Sequence, residues 1–394
     1  MTIKYGYLIF AICVFVGFFM SCKNIRKGGP EIDISSLPRQ LYWEEGAFHV
    51  QGVVVDVKRG FVYYSFTTSL IKTDLSGRFI GSVDGMTGHL GCIDIHPEDG
   101  RVYGSLEYKN DAIGRGITQQ LDNEGQTGHT DAFYIAIFDV DKIIRRGMNA
   151  ESDGVMATVY LKEVVDDYGA SVENQGHTVA HRYGCSGIDG TAFGPQFGEK
   201  NGKNYLHVAY GIYGDTTRTD NDYQVILQYD VSDWQKYARP LKQSNLHREG
   251  PEKPLNKFFV FTGNTTYGIQ NFAYDAHTGY WFAAAYKGRK SAYPNFPLFT
   301  IDGSQKPTLQ PLKGFDDNYR GMTLQLAKAG VHHSETDLYG WHHQWGSTGI
   351  HALGNGYFYI SQNGVSPDKK QYCKLQLYRW TAQSPDPFEE VEMY

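Results

Sequence analysis

Cysteine is scarce in this sequence. Only five of its 394 residues are cysteines, and two of these lie at positions 13 and 22. The other three, Cys92, Cys185 and Cys373, are so far apart that they predict neither a disulfide framework nor a paired-cysteine metal site. We expect them to be buried as small apolar side chains.

Charged residues are also few, at 20%, and the net charge is −6. Nucleic-acid-binding domains usually carry a basic face, so this acidic balance argues against a nucleic-acid partner. It still permits an anionic substrate, because a binding site needs only a local group of Arg, Lys and His. Glycine and tyrosine, in contrast, are abundant, with 45 and 29 copies. That composition favours many short strands joined by tight turns.

The N-terminal segment predicts export. A single early lysine precedes an apolar run at 7–20, and Ser21 and Cys22 follow. This order resembles a bacterial lipoprotein signal, which implies a signal peptide over 1–21, lipidation such as palmitate at Cys22 and a tether over 22–45. We expect a lipoprotein at the cell surface, the outer membrane or the periplasm, held to the membrane only through that lipid; an uncleaved anchor is the alternative.

A two-part unit recurs along the rest of the chain. In QGVVVDVKRGFVYYSF from Gln51 and GCIDIHPEDGRVYGSL from Gly91, a glycine leads an apolar strand, a polar turn and an aromatic strand. Such hairpins, each followed by another strand, are typical of propeller blades. The leading glycines of five visible units are Gly52, Gly91, Gly187, Gly268 and Gly349. We therefore predict an all-β fold, a β-propeller with six to eight blades in one domain over 46–394; a β-sandwich or β-helix is the alternative.

Two stretches do not fit the repeat. Residues 111–129 are predicted as a loop inserted on one rim, and residues 319–330 show a weak helical pattern. Insertions of this kind are where functional loops of propellers are found.

Several types of chemistry can be weighed from the residues. Ser186 lacks the spacing of a nucleophile elbow, and Cys185 beside a strand entry is typical of a core residue. Asp189, Asp215 and Glu107 are candidates for a glycosidase carboxylate pair, but no spacing selects two of them. His332, His333, His342 and His343 could bind a structural divalent metal such as zinc or calcium.

A mixture of His, Tyr and Arg at strand ends suits another reaction. β-Elimination from a uronic acid residue needs a base for the C5 proton and an acid for the departing oxygen, and His and Tyr can serve as either. A cation such as Arg can stabilise the charge that develops next to the carboxylate. No cofactor is required for this chemistry.

The stretches HRYGCSGIDG, YGIYGDTTRTDNDYQVILQYD, GSLEYKNDAIG and GHTDAF resemble the propeller-type ulvan lyases. The resemblance implies a seven-bladed propeller that cleaves an anionic algal polymer of sulfated rhamnose and uronic acid by elimination. Its sites combine two histidines with a later tyrosine and arginine; His129 fits the second histidine, and Tyr108 stands near the first. The implied catalytic residues are His129, Tyr183, Tyr213 and Arg218. The candidate substrate-binding residues, chosen because they lie in polar clusters at strand ends, are Tyr108, Lys109, His177, His181, Arg182 and Tyr267. We expect the protein to be a monomer.

Two other functions stay open. The first is a related propeller enzyme, an α-L-rhamnosidase or a rhamnose–glucuronate lyase. The second, from a different class, is a surface lipoprotein that binds glycans without catalysis, a function that would fit the absence of a histidine near Tyr108. The sequence also leaves open which residue is the base and which the acid.

Overall fold

A computed structural model describes residues 32–46, 48–121, 131–200, 202–315 and 319–392. The chain divides into two units, of which the first ends at Ser35, and the fold below is that of residues 36–394. Among the helices within the described ranges, none combines the length and apolar character needed to cross a bilayer.

Short strands are the main regular structure of the described chain. They are β1 (Gln40–Glu45), β2 (Val50–Asp56), β3 (Phe61–Phe66), β4 (Ser69–Asp74), β5 (Phe79–Asp84), β6 (His89–Ile95), β7 (Val102–Tyr108), β8 (Ala132–Phe138), β9 (Met148–Asn149), β10 (Met156–Tyr160), β11 (Ser171–Asn174), β12 (His177–Ala180), β13 (Cys185–Pro195), β14 (Asn204–Ile212), β15 (Tyr223–Tyr229), β16 (Asn256–Phe261), β17 (Thr265–Asp275), β18 (Tyr280–Lys287), β19 (Leu298–Asp302), β20 (Thr308–Pro311), β21 (Arg320–Leu324), β22 (Val331–His333), β23 (Leu338–Gly340), β24 (Ile350–Ala352), β25 (Tyr357–Val365), β26 (Gln371–Trp380) and β27 (Phe388–Glu390). The helices are α1 (Ala112–Gln120) and α2 (Lys162–Tyr168), and single 3-10 turns lie at Ile34–Ser36, Val140–Lys142, Arg182–Gly184 and Trp234–Lys236.

The strands form five main sheets in chain order. The first contains β2 to β5, with β9 added in parallel, and the second contains β6, β7, β8 and β10. The third contains β13 to β16 and is extended by β21 and β20, while the fourth contains β17 to β19. The fifth contains β24, β25 and β26 and is completed by β1. Each sheet thus begins with the glycine-led first strand of the predicted repeat.

These five first strands form a closed ring. β2 contacts β6, β6 contacts β13, β13 contacts β17, β17 contacts β24, and β24 contacts β2 again. Sheets arranged around an axis with their first strands innermost define a β-propeller, so the predicted fold class is confirmed. The expected seven blades are wrong, because the ring of described strands closes with five; the wide glycine spacings contain insertions rather than further blades.

The leading glycines let the inner strands approach one another closely. A Cβ atom on Gly52 would lie 2.8 Å from the amide nitrogen of Ile93 on the next inner strand. On Gly91 it would lie 2.4 Å from Oγ of Ser105. Only glycine leaves room for these contacts, which is why the repeat is marked by this residue.

Two serines join neighbouring blades. Ser65 of β3 donates a hydrogen bond to the carbonyl oxygen of Gly91 at 2.7 Å, and Ser105 of β7 donates one to the carbonyl oxygen of Asp189 at 2.8 Å. Both hydroxyls are fully buried. Each bond ties the second strand of one blade to the inner strand of the next, so the ring is held by polar contacts as well as by apolar packing.

The first strand of the chain completes the last blade. β1 pairs antiparallel with β26, with Gln40 opposite Gln376 and Glu45 opposite Gln371. Residues 40–45 therefore belong to the last blade. The tether predicted over 22–45 does not extend that far, and the propeller begins before residue 46.

Aromatic and apolar side chains fill the space between the blades. Trp281 is fully buried and stacks on Phe272, with 4.9 Å between ring centroids. Cys92, Cys185 and Cys373 are free and buried, which confirms the prediction for the three cysteines. Burial raises the pKa of the Cys92 thiol to about 12, so it is held as an unreactive thiol.

The two inserted stretches differ from their predictions. Part of the stretch expected to be a loop forms α1, which begins after Asp111; the Asp111 carboxylate accepts a hydrogen bond from the amide of Gly114 at 2.9 Å and caps the helix. The stretch with the helical pattern contains β21 instead. β21 pairs in parallel with β16 because an open sheet edge there accepts its backbone hydrogen bonds.

Candidate functional site

A cavity of about 400 Å³ lies at the end of the ring where the inner strands begin. Side chains reach it from the starts of β2, β6, β13 and β17, and from the ends of the second strands β3, β7 and β18. We call it the axial cavity. Its polar lining consists of His49, Gln51, Thr67, His89, Glu107, Lys109, Gln120, Ser186, Asp189, Tyr267, Gln270 and Tyr286.

His89 and Glu107 are hydrogen-bonded on one side of the axial cavity. The two residues lie directly opposite each other on β6 and β7, and Nδ1 of His89 is 3.2 Å from Oε1 of Glu107. When the neutral imidazole donates its Nδ1 proton to this carboxylate, Nε2 carries the lone pair and can accept a proton. The arrangement is that of a histidine base oriented by a buried acid.

Glu107 is held in its ionised form. Its side chain is 1% exposed, and burial alone would raise its pKa. The Lys109 ammonium, 2.5 Å from Oε1, and the bond from His89 outweigh burial and lower the pKa. The amide of Ile188 also donates to Oε2, at 3.1 Å. Glu107 therefore provides a fixed negative charge behind the His89 ring.

Asp189 has the opposite tendency. Burial and the neighbouring Glu107 charge raise its pKa to about 7. Its Oδ2 accepts a hydrogen bond from Nε2 of Gln270 at 3.0 Å, and its Oδ1 is 3.9 Å from Nδ1 of His89. Two carboxyl groups with separated pKa values, both near one imidazole, are typical of sites that transfer protons.

A second histidine on the cavity wall is neutral. Burial, together with the nearby His89, lowers the pKa of His49 to about 4. Its Nε2 is 3.0 Å from the amide nitrogen of Gln51, which also donates to Thr67 at 3.1 Å. This group offers neutral hydrogen-bonding partners rather than charge.

Two tyrosines and one helix complete the cavity. Tyr267 is 37% exposed and has a φ of 63°, a backbone conformation rarely adopted by a residue with a side chain. Burial raises the pKa of Tyr286, so its hydroxyl stays protonated at neutral pH. Apolar residues of α1 also line the cavity, among them Ala112, Ile113 and Ile117. The lining thus combines polar and apolar side chains.

Of the four predicted catalytic residues, His129 lies outside the described residues, and the other three do not line this cavity. The Tyr183 hydroxyl is bonded to that of Tyr319, and the Tyr213 hydroxyl donates to Asp111 at 2.8 Å, next to the start of α1. Arg218 is buried with Asp220, at 2.8 Å, and donates to the carbonyl oxygens of Ala180 and His181.

Of the predicted substrate-binding residues, two line the axial cavity. Lys109 does so with its ammonium paired to Glu107, and Tyr267 does so with an exposed side chain. The other four have different surroundings. Tyr108 is buried and donates to Gln243 at 2.9 Å, His177 is exposed on β12, His181 packs on Tyr168, and Arg182 pairs with Asp167 at 2.9 Å.

The four predicted metal ligands are each engaged elsewhere. Their contacts are a bond from Nε2 of His332 to Asp337 at 2.9 Å, one from Nδ1 of His333 to Thr336 at 2.8 Å, packing of the His342 ring on Phe296, and a bond from Nδ1 of His343 to Asp386 at 2.9 Å. Within the described ranges, no three His, Cys, Asp or Glu side chains are grouped as metal ligands. These histidines do not fit the expected metal site.

Three residues of the axial cavity that the sequence analysis did not select, His89, Gln51 and Gln270, have a recognisable position in the sequence. His89 lies two positions before Gly91, Gln51 lies one before Gly52, and Gln270 lies two after Gly268. Residues next to the leading glycines are therefore those that reach the ring axis. Glu107 and Asp189 had been candidates for a carboxylate pair, and the structure places both beside His89.

Comparison with known proteins gives only remote similarities. No family model and no curated protein sequence matches the chain. A functionally unknown protein from Desulfotomaculum acetoxidans superposes over 87% of this chain and 69% of its own, with 10% identity and a TM-score of 0.31. A protein of unknown function from Bacteroides caccae covers 72% and 88%, with 11% identity and a TM-score of 0.29. The Dos1 propeller covers 88% and 71%, with 9% identity and a TM-score of 0.28. Similarity this remote does not identify the fold, which follows from the strand pairing and from the ring of inner strands.

Proposed function

We propose that this protein is a carbon–oxygen lyase that cleaves an acidic polysaccharide by β-elimination in the axial cavity. The observation that carries the proposal is the His89–Glu107 hydrogen bond, in which a buried, ionised carboxylate orients an imidazole on the cavity wall. A base of this kind suits the removal of a weakly acidic proton next to a carboxylate.

The elimination is assigned to side chains as follows. Nε2 of His89 takes the C5 proton of a uronic acid residue, and Glu107 stabilises the imidazolium that forms. The electrons form a C4–C5 double bond as the bond from C4 to the glycosidic oxygen breaks. That oxygen takes a proton from Tyr267 or Tyr286, the two phenols that line the same cavity. The proton on His89 returns to solvent and the tyrosine is reprotonated.

Asp189 supplies the contact to the uronate. Because its pKa is raised, a neutral Asp189 can donate a hydrogen bond to the substrate carboxylate as negative charge develops there. It takes the role expected of an arginine, since Arg182 and Arg218 are paired with aspartates and do not line the cavity. The reaction needs no group other than these side chains.

The first substrate to test is ulvan, the sulfated rhamnose–uronate polymer that the sequence resemblance implies. A lipoprotein with its lipid at Cys22 would hold this activity at the cell surface or in the periplasm. Cys22 lies outside the described residues, so this location stays part of the proposal.

Hydrolysis is the second candidate, and the separated pKa values of the two carboxyl groups favour it. In that reaction protonated Asp189 would donate to the glycosidic oxygen and ionised Glu107 would act on the opposite side of the sugar. Both oxygens of Glu107 are already occupied by Lys109, His89 and Ile188. A nucleophile has to reach the sugar carbon, and a carboxylate that is 1% exposed and held by three partners is poorly placed to do so, so elimination is the better fit.

An assay on ulvan separates these functions. The lyase proposal expects absorbance from the unsaturated uronyl product, lost by at least about 100-fold in His89→Ala. His277→Ala, a change at an exposed histidine in the turn between β17 and β18, is the matched control and should keep full activity.

Each other outcome has a definite meaning. New reducing ends without absorbance would replace elimination with hydrolysis. If neither absorbance nor new reducing ends appear and ulvan still binds on an affinity gel, the protein is a glycan-binding protein and not an enzyme. Full activity of folded His89→Ala would remove the proposed base.

A further inference from the structure

The chain between β19 and β24 builds a second cavity away from the ring axis. β20 and β21 extend the third sheet, and β22 and β23 form a separate hairpin; none of them is needed to close the ring. Between them lies a cleft of about 310 Å³, which we call the edge cleft. The residues used below are Gln310, Lys313, Gln325, Lys328, Thr336 and Tyr339, all of which line it.

Two lysines give the edge cleft an unusual charge for an acidic protein. Lys313 and Lys328 are both exposed, and neither forms an ion pair with a carboxylate in the part of the chain that the structure describes. Among the described residues that line the cleft, the one acid is Asp337, which is bonded to His332 at 2.9 Å. In that described lining two lysines face one acid, although the whole chain carries −6.

The cleft is also fixed in shape. The Tyr223 hydroxyl accepts a hydrogen bond from the Lys313 amide at 3.0 Å, which holds the backbone there. The Lys313 ammonium lies 4.7 Å from the centre of the Phe261 ring, and Tyr339 stacks on His332 at 4.2 Å. A preformed site loses little entropy when it binds a ligand.

The remaining lining is polar. Gln310 and Gln325 contribute amides and Thr336 contributes a hydroxyl, groups that match the hydroxyls of a sugar, while Tyr339 and Phe261 contribute ring surfaces. Two cations next to such groups suit a small ligand with both hydroxyls and a negative charge.

We propose that the edge cleft binds one acidic sugar unit of a polysaccharide, with Lys313 and Lys328 contacting its carboxylate or sulfate group. The saccharide nature of the ligand rests on the proposed function, whereas the need for an anion rests on the two lysines. A polymer held there would be retained near the protein whether or not the axial cavity is acting on it.

Native gel electrophoresis with polymer cast in the gel tests this inference. The probes are polygalacturonate, dextran sulfate and unmodified dextran, in 0.15 M salt so that exposed charges are screened. Lys313→Ala with Lys328→Ala is compared with Lys58→Ala with Lys253→Ala, which removes two exposed lysines outside the cleft and changes the net charge equally. We expect about tenfold or greater loss of affinity only in the first pair.

The arms identify the anion and separate the two proposals. If only polygalacturonate retards the protein, the cleft binds a carboxylate; if only dextran sulfate does, it binds a sulfate. If both polymers retard the protein, the cleft accepts either group. Folded His89→Ala should keep this binding even if no lyase activity is found. The inference would be overturned if the control pair lost as much affinity, or if neutral dextran retarded the protein equally. It would also be overturned if none of the three polymers retarded the protein, or if only His89→Ala lost binding.

Discussion

His89 and Glu107 are opposite each other in the antiparallel pair of β6 and β7, and their side chains are joined by a hydrogen bond of 3.2 Å. Residues directly opposite each other in an antiparallel pair have Cβ atoms about 4.5–5.5 Å apart, which is close enough for their side chains to bond. The geometry of the proposed base is therefore fixed by strand register within one blade, and the charge of Glu107 is fixed by Lys109 two residues further along the same strand end.

Lys109→Met should destabilise the protein by about 3–5 kcal/mol, because it leaves the buried Glu107 charge without its cation. The pKa of Glu107 should rise, so activity should be lost at a higher pH on the acid side. Urea unfolding and a pH–rate profile measure the two effects. Lys162→Met, at a half-exposed pair with Asp166, is the control and should leave the urea midpoint of unfolding almost unchanged. Equal costs would show that Lys109 has no special role.

Asp189→Asn should change how stability depends on pH. The folded pKa of Asp189 is raised from 3.8 to about 7, so its stabilising contribution is present below pH 4 and is lost as pH rises through 7. The wild-type protein should lose up to about 1.4 kcal/mol per pH unit in that window relative to the variant. Thermal or urea unfolding at several pH values measures this. A difference between the two proteins that stays constant from pH 4 to 8 would contradict the raised pKa.

Gly187→Ala should damage both folding and the site. Gly187 has a φ of 123°, and a Cβ there would lie 2.0 Å from Oε2 of Glu107. We expect a loss of more than about 2 kcal/mol, from backbone strain and displacement of Glu107 together. Gly176→Ala, at a φ of 75° with open space around it, isolates the strain and should cost about 1–2 kcal/mol. If the two variants unfold at the same urea concentration, a Cβ atom at position 187 does not displace Glu107 and the extra cost is absent.

Arg218→Met should lower stability without abolishing activity. Its guanidinium is 6% exposed and joins Asp220 to two backbone carbonyl groups, so removing it should cost about 3–5 kcal/mol. Arg78→Met removes an exposed pair with Asp74 and should cost under about 1 kcal/mol. Loss of turnover in a variant that remains folded at the assay temperature would return Arg218 to the catalytic residues.

The sequence was sufficient to predict the blades but not their number. The five glycines from Gly52 to Gly349 mark the five inner strands, because close approach of backbones leaves a residue-type signature. The insertions between them have no such signature. Residues 319–330 carry a helical pattern, yet β21 forms there because the edge of β16 supplies hydrogen-bond partners.

The site was less predictable, for a physical reason. Lys109 and Tyr267 could be selected as polar residues at strand ends, but the roles of His89 and Asp189 depend on burial and on neighbours distant in the chain. Arg218 and Tyr183 have the residue types of a catalytic site, and the fold satisfies both with internal partners. Residue type alone does not reveal which side chains are already engaged.

The pairing of β1 with β26 imposes an order on folding. The strand at Gln40–Glu45 is made early during synthesis, and its partner at Gln371–Trp380 is made near the end. Four blades can pair from neighbouring segments as they emerge, whereas the fifth has to wait for its first-made strand to meet its last. During that interval β1 lacks its partner, and a ribosome that stops before residue 371 releases a chain whose fifth blade has neither β26 nor the pairing of β26 with β1.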